Sequence, residues 1–281
     1  MDGSVTPEEL AARAVQGDGE ALSALCRQLT DPIFQLCLRM LGSRSDAEDA
    51  TQEILVKVIT GLSGFAGHSA LSTWVHTVAV RQLMAMRRSR AEQRAVPLDD
   101  LARLIDAGLE FGRTQPPPGP EELTLAREVR LSCTHGMLMA LEREERLALV
   151  LVEVLGFDAA ESAEIAGVSH DAMRKRLSRA RTRLESFLQA SCGVMNEAAN
   201  CRCERQIPAK VSLGLTRDRA TLTVLAQAPS HTVAKASREL QGVSRVLRAD
   251  GDLFAPQSLR SRLESLLPTL LSFNRASSAT H

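Results

Sequence analysis

The stretch Gly156–Leu184, GFDAAESAEIAGVSHDAMRKRLSRARTRL, reads as a short helix, a tight turn and a second helix loaded with positive charge. Asp158, followed three residues later by Glu161, has the spacing of a capping box and opens the first helix. Gly167 supplies the turn, and Ser169 is a good N-cap for the second helix. Along that helix Met173, Leu177, Ala180 and Leu184 recur at i, i+4, i+7 and i+11, which predicts one buried stripe. Arg174, Lys175, Arg176, Arg179, Arg181 and Arg183 occupy the remaining surface, with no acidic residue among them. A solvated helix face usually alternates its signs. This one does not, and a second helix of this kind is built to lie in the DNA major groove.

Composition bounds the rest. At 281 residues the chain is long enough for two or three domains. An apolar content of 44% supports real cores, while 3% aromatic with no Tyr argues against an aromatic-rich ligand cavity or a base-stacking sheet. The net charge is zero but unevenly spread: residues 1–60 hold ten Asp/Glu against five Arg/Lys, and residues 81–94 hold five Arg against one Glu. That asymmetry suggests a protein partner and a nucleic-acid partner held by different parts of the chain. Nothing resembles a signal peptide and no apolar run approaches membrane-spanning length, so a cytoplasmic protein with no membrane partner is expected. Its six Cys are then expected as reduced thiols or metal ligands.

Working outward from the basic helix, residues 122–190 read as helical, with Val129, Cys133, Met137, Leu141, Leu147, Leu151, Val154 and Leu155 supplying the core. Upstream, Gln115-Pro116-Pro117-Pro118-Gly119-Pro120 favours an extended strut, so the segment around it is expected to be a linker. Residues 6–90 read as helices, with Pro7 near the first start and turns at Gly17–Gly19 and Gly42–Ser45. Beyond the basic helix, a third segment opens with Cys192, Cys201 and Cys203, and helices are expected at about 231–248 and 256–272. Residues 207–228 alternate like strands without excluding helix.

A second constellation lies in Asp46-Ala47-Glu48-Asp49-Ala50-Thr51-Gln52-Glu53-Ile54-Leu55. On a helix Asp46, Asp49 and Glu53 form one acidic ridge beside Ala50, Ile54 and Val58. No His at ligand spacing, no nucleophile and no glycine-rich phosphate loop accompanies it, so acid/base or metal chemistry is not indicated. A docking face for a basic protein surface fits better than a catalytic site. Further on, Phe65-Ala66-Gly67-His68-Ser69-Ala70-Leu71-Ser72-Thr73-Trp74-Val75 is a Gly/Ser loop feeding a helix that is expected to end in Arg81, Arg87, Arg88 and Arg90. Taken alone, Trp74 would be a core residue and His68 a surface one.

Together these segments resemble a bacterial RNA polymerase sigma factor of the extracytoplasmic-function group of the sigma-70 family. DAEDATQEIL resembles the core-polymerase-binding helix, FAGHSALSTWVHTVAVRQLMAMRRSR the −10 loop and helix, and LEREERLALVLVEVLGFDAAESAEIAGVSHDAMRKRLSRARTRL the −35-binding domain. The resemblance implies an all-α chain: region 2 at 7–92, a flexible linker at 93–125, region 4 at 126–190 and a small, mostly helical extension at 191–281. It implies that Asp46, Asp49, Gln52 and Glu53 dock on core RNA polymerase. Phe65, His68, Ser69, Thr73 and Trp74 would hold an unstacked base of the melted −10 strand, with Arg81, Arg87, Arg88 and Arg90 on the backbone. Ser169, His170, Arg174, Lys175, Arg176 and Arg179 would meet the −35 duplex. The chemistry would be the polymerase's, so the chain itself is not an enzyme. Arg81 stands where the family usually has Asn, Leu55 where it has Phe, and Ser162 at a usually apolar position. A separate anti-sigma factor is a further partner that the resemblance leaves open.

CGVMNEAANCRC resembles a cysteine-bearing tail found on some members, and that comparison favours helices over strands for 207–228. Cys192, Cys201 and Cys203 are candidate ligands for zinc or a copper ion, with His231, Cys133 or His135 as a fourth. The plainer alternative is a small capped turn with reduced thiols. If metal binds, the extension would be a fused switch gating DNA or polymerase binding. Cys26, Cys37 and Cys133 lie in apolar helical stretches and read as core. Two other readings remain: a helix-turn-helix regulator independent of polymerase, and a metal sensor with a degenerate sigma-like part. The acidic ridge separates them, since a repressor has no need of it.

Overall fold

Helix starts are set by side-chain caps. Thr6 and Glu9 form a capping box that opens α1 (Pro7–Val15), and the Asp18 carboxylate accepts from Glu20 and Ala21 N–H to open α2 (Gly19–Leu41). Gly42, at φ +66°, ends α2, and only glycine fits there: a Cβ would also lie 2.7 Å from Met139 Sδ. Ser43 then caps α3 (Arg44–Thr60), followed by α4 (Leu71–Ala85) and the single turn α5 (Arg90–Gln93). The computed structural model describes residues 5–214 except Thr124, together with 242–248 and 253–278.

The chain continues through α6 (Leu98–Arg113), α7 (Pro120–Leu123), α8 (Ala126–Met139) and α9 (Arg143–Leu149), the last running into a π-turn at Val150–Val154. Then come α10 (Ala159–Ala166), α11 (His170–Ser191), α12 (Ile207–Ser212), α13 (Gly242–Leu247) and α14 (Gln257–Ser278). Among the described residues there is no strand, only an isolated parallel bridge between Cys192 and Cys201, so the all-α expectation holds. One apolar core runs through both helical units, from Leu22, Leu25 and Phe34 of α2 to Met173, Leu177, Ala180 and Leu184 of α11. Those four residues of α11 are the buried stripe that its periodicity predicts.

The segment expected to be a linker is more ordered than its prolines suggest. Leu98, Leu101 and Ile105 recur at i, i+3 and i+7, which is helical spacing, and they carry α6. The same helix offers a smooth side at Gly108 and Gly112. A Cβ at Gly112 would lie 2.6 Å from the Arg205 carbonyl oxygen, and one at Gly108 would collide with the Gln206 side chain. Gln206 uses that approach to donate to the Ile105 carbonyl at 2.7 Å. Pro116, Pro117 and Pro118 lie between α6 and α7, outside any helix, and Pro120 opens α7.

In the extension, residues 207–212 are helical, as the family comparison favours, and 215–228 lie outside the described residues. Of the helix expected near 231–248, residues 242–247 are described and helical, and 231–241 lie outside. The helix expected at 256–272 is α14, which runs six residues further, to Ser278.

Candidate functional site

Both helices of the helix-turn-helix are fixed at their starts. The Asp158 carboxylate accepts from Ala160 and Glu161 N–H, each at 2.8 Å, and Glu161 accepts from Asp158 N–H at 3.0 Å. Gly167, at φ +64°, closes α10, and Ser169 Oγ accepts the Ala172 N–H at 3.2 Å. Ser169 therefore commits its hydroxyl to capping α11. With the stripe Met173, Leu177, Ala180 and Leu184 buried, His170, Arg174, Lys175 and Arg179 are exposed and Arg176 is half-buried. Lys175 meets Asp171 at 2.7 Å, but both are solvated, so the pair is weak. Arg181 is held by Glu153 of the π-turn and Arg183 by Glu145 of α9 at 2.8 Å. These two arginines fasten the helix to its own unit, and the outward basic face narrows to residues 170–179.

In the first unit the loop before α4 is built on an aromatic pair: Phe65 and Trp74 lie 5.5 Å apart between centroids, tilted by 49°. Gly67 turns the loop at φ +72°, with His68 exposed and Ser69 half-buried. Thr73 is packed inward at 3% exposure, so its side chain is withdrawn from the base-holding role that the resemblance implies. Arg81, Arg87, Arg88 and Arg90 are all exposed, and Arg88 comes within 3.9 Å of Glu142. Helix α10 packs against α4, and the Phe157 ring meets the His76 ring edge-on at 4.8 Å. His76 Nδ1 lies 2.7 Å from the Ser72 carbonyl, while burial pushes its pKa below the ordinary histidine range.

The acidic ridge stands on one face of α3. Asp49 and Glu53 are exposed, and Asp46 and Gln52 half-buried. Glu53 accepts from Gln82 Nε2 at 3.0 Å. Asp49 lies 3.3 Å from Arg262 Nη1, and Arg262 Nη2 reaches Glu48 at 3.2 Å. Arg262 escapes sequence reasoning, because nothing in its neighbourhood along the chain names α3 as its partner.

The cysteines of the extension sit at the end of α11. Cys192 is its C-cap, Gly193 N–H donates to the Cys201 carbonyl at 3.0 Å, and Cys203 opens a short 3₁₀ turn. Cys133 of α8 joins them: all four line one cavity of about 860 Å³ between α6, α8 and the end of α11. Burial, reinforced by the neighbouring thiols, pushes Cys133 up to about 12 and Cys201 up to about 11; burial also takes Cys203 up to about 12. His135 lines the same cavity, and burial pushes it down to about 4. His231 lies outside the described residues. Among the described residues, no three His, Cys, Asp or Glu stand in an arrangement that could hold a metal ion. Cys26 and Cys37 are buried in the core as expected, whereas Cys133 is half-buried and belongs to the cysteine cluster.

No helix among the described residues is long and apolar enough to cross a membrane. Residues 25–93 match the family model described as Sigma-70 region 2, and residues 131–184 that described as Sigma-70, region 4. The chain is 29% identical over 195 residues to ECF RNA polymerase sigma factor SigM of Mycobacterium tuberculosis strain H37Rv, covering 69% of this chain and 88% of that protein. It is 28% identical over 190 residues to ECF RNA polymerase sigma-E factor of Escherichia coli strain K12, covering 67% and 97%. A solved structure of CnrH in complex with the cytosolic domain of CnrY aligns at a TM-score of 0.46 and 22% identity, over 64% of this chain and 95% of that one.

Proposed function

The chain belongs to the sigma-70 family, in its extracytoplasmic-function group, and from that premise we propose that it binds core RNA polymerase and directs it to promoters by reading a −35 and a −10 element. The observation that carries this reading is the outward face of α11, where His170, Arg174, Lys175, Arg176 and Arg179 project from a helix capped by Ser169 and fastened by Arg181 and Arg183. A rigid basic helix of this kind fits the major groove, where one bidentate Arg–guanine contact is worth about 1–3 kcal/mol. The Phe65–Trp74 pair, His68 and Ser69 supply a surface for an unstacked base, and Arg81, Arg87, Arg88 and Arg90 neutralise adjacent phosphates. Asp46, Asp49, Gln52 and Glu53 face the polymerase. The bond-making belongs to that enzyme, and the chain works in the cytoplasm beside it.

The test is transcription from a promoter library by core polymerase with and without this chain. Starts that depend on the chain, with the −35 preference relaxed by Arg174→Ala or Arg179→Ala, are the expected result. Loss of one phosphate contact lowers the salt dependence of DNA binding by about 0.9 log units per tenfold salt. Duplex binding without any polymerase-dependent start would instead favour a polymerase-independent regulator.

For the extension, we propose that Cys133, Cys192, Cys201 and Cys203 are the donor set for a zinc or copper(I) ion. Four thiols around one cavity are the donors that soft metals select. In the conformation described no three of them stand in an arrangement that could hold an ion, so binding requires the thiols to draw together. Metal analysis of the purified chain should find one equivalent, lost in the Cys201→Ser/Cys203→Ser variant; a metal-free chain after reconstitution with either ion overturns the assignment.

A further inference from the structure

Helix α14 returns from the far end of the chain to lie on α2 and α3. Its stripe Leu259, Leu263, Leu267 and Leu270 is buried to 8% exposure or less, and Leu271 packs against Gly19 at the start of α2. Charge fixes its register. Asp31 of α2 accepts both the Ala255 N–H at 2.8 Å and Arg260 Nη2 at 2.5 Å. On α3, Arg262 bridges Glu48 and Asp49 at 3.2 and 3.3 Å. An apolar stripe flanked by two arginines, each placed on a carboxylate, is a specific docked ligand, not a loose tail.

Asp49 is one of the four residues assigned above to core polymerase, and this inference rests on that assignment. A helix with its side chains is about 10 Å across. With α14 seated on the α2–α3 face and Arg262 on Asp49, a polymerase helix that brings its own basic groups to the same carboxylate has to displace Arg262, and with Asp49 still 69% exposed that ion pair is weak enough to exchange. We propose that α14 is a built-in competitor for the polymerase-docking face: through Arg262 it holds Asp49 of the acidic ridge in cis, mimics the basic surface of the polymerase, and must leave before the polymerase binds. The chain then binds polymerase with an affinity reduced by the fraction of molecules in which α14 is released.

The experiment uses the full chain. Hydrogen exchange of residues 257–270 is followed before and after core polymerase is added, and polymerase affinity is measured for the wild type and for Arg260→Glu/Arg262→Glu. Protection of 257–270 should be lost in the complex, and the double variant should bind on the order of tenfold more tightly, because both ion pairs that seat α14 become repulsive. Polymerase binding with 257–270 still protected overturns the proposal while leaving the sigma assignment intact. Failure of both proteins to bind polymerase, or binding unaffected by Asp49→Lys/Glu53→Lys, overturns the assignment of the ridge and the proposal with it.

Discussion

Arg146 of α9 and Glu92 at the end of the first unit form an ion pair at 3.0 Å, each side chain only 3% exposed. Arg143 adds a second guanidinium at 2.9 Å. Arg146 also donates to the carbonyls of Leu138 at 2.8 Å, Leu141 at 3.2 Å and Met40, so it closes exposed ends of α8 and α2 at once. Glu92 is positioned by the Ser89 capping box, accepting the Ser89 N–H at 2.8 Å. This network locks the two helical units together. Removing one partner of a buried pair leaves the other charge uncompensated, at a cost of about 3–5 kcal/mol. Glu92→Ala should therefore lower the free energy of urea unfolding by that amount. A Glu92→Ala chain as stable as the wild type would show that the pair does not hold the units.

Acid should open the same molecule. Burial works to raise the Glu92 pKa, but the Ser89 N–H and the two arginines outweigh it and hold the carboxyl below the ordinary glutamate range. Its contribution is present in full above that range and is lost as pH falls through the lowered folded value. His76 and His135 are also lowered, both chiefly by burial, His135 to about 4 from an ordinary 6.5. The folded state then binds fewer protons than the unfolded one, so stability is complete above about pH 6.5 and declines toward pH 4. Thermal melts across that interval should show a falling Tm, and His135→Gln should flatten the slope. A Tm independent of pH from 7 to 4 contradicts the burial of these rings.

Ser162 is fully buried on α10, and its Oγ has no hydrogen-bond partner among the described residues. An unsatisfied buried hydroxyl costs about 1–3 kcal/mol, and replacing it by an apolar group of similar size removes that cost. Ser162→Ala should raise stability by about 1 kcal/mol and leave the exposed basic residues of α11 in place. Measured destabilisation would mean that the hydroxyl has a partner after all.

How far the sequence carries depends on whether the partners are local. Asp158–Glu161, Gly167, Ser169 and the stripe from Met173 to Leu184 are all set within a few turns, and each stands where its spacing predicts. The ridge of α3 was legible for the same reason. Thr73 was not, because one helical position separates an inward side chain from an outward one, and the packing of the core decides it. Helix α6 was obscured by the prolines that follow it, although Leu98, Leu101 and Ile105 already had helical spacing. The contacts of Arg146 with Glu92 and of Arg262 with Asp49 span 54 and 213 positions, and no periodicity encodes a pairing at that range. Cys133 lies between these cases: its apolar surroundings suggested core, and only the fold brings it to the three cysteines after α11.

That convergence depends on Gly193. Its N–H donates to the Cys201 carbonyl at 3.0 Å, and the approach is so close that any Cβ would collide with the same carbonyl and with the Arg202 guanidinium. Arg202 is itself held by the carbonyls of Glu197 at 2.8 Å and Cys201 at 2.9 Å, so it has little room to retreat. Forcing a methyl group into such a site costs about 1–3 kcal/mol. Gly193→Ala should therefore loosen the turn that joins Cys192 to Cys201. The half-buried thiols would then react faster with a thiol-specific reagent such as DTNB. The basic face of α11 ends at Arg179, more than three helical turns earlier, so duplex DNA binding should be unchanged. Equal thiol reactivity in the two proteins would mean that the turn accommodates a side chain, and that Gly193 does not set the position of the cysteines.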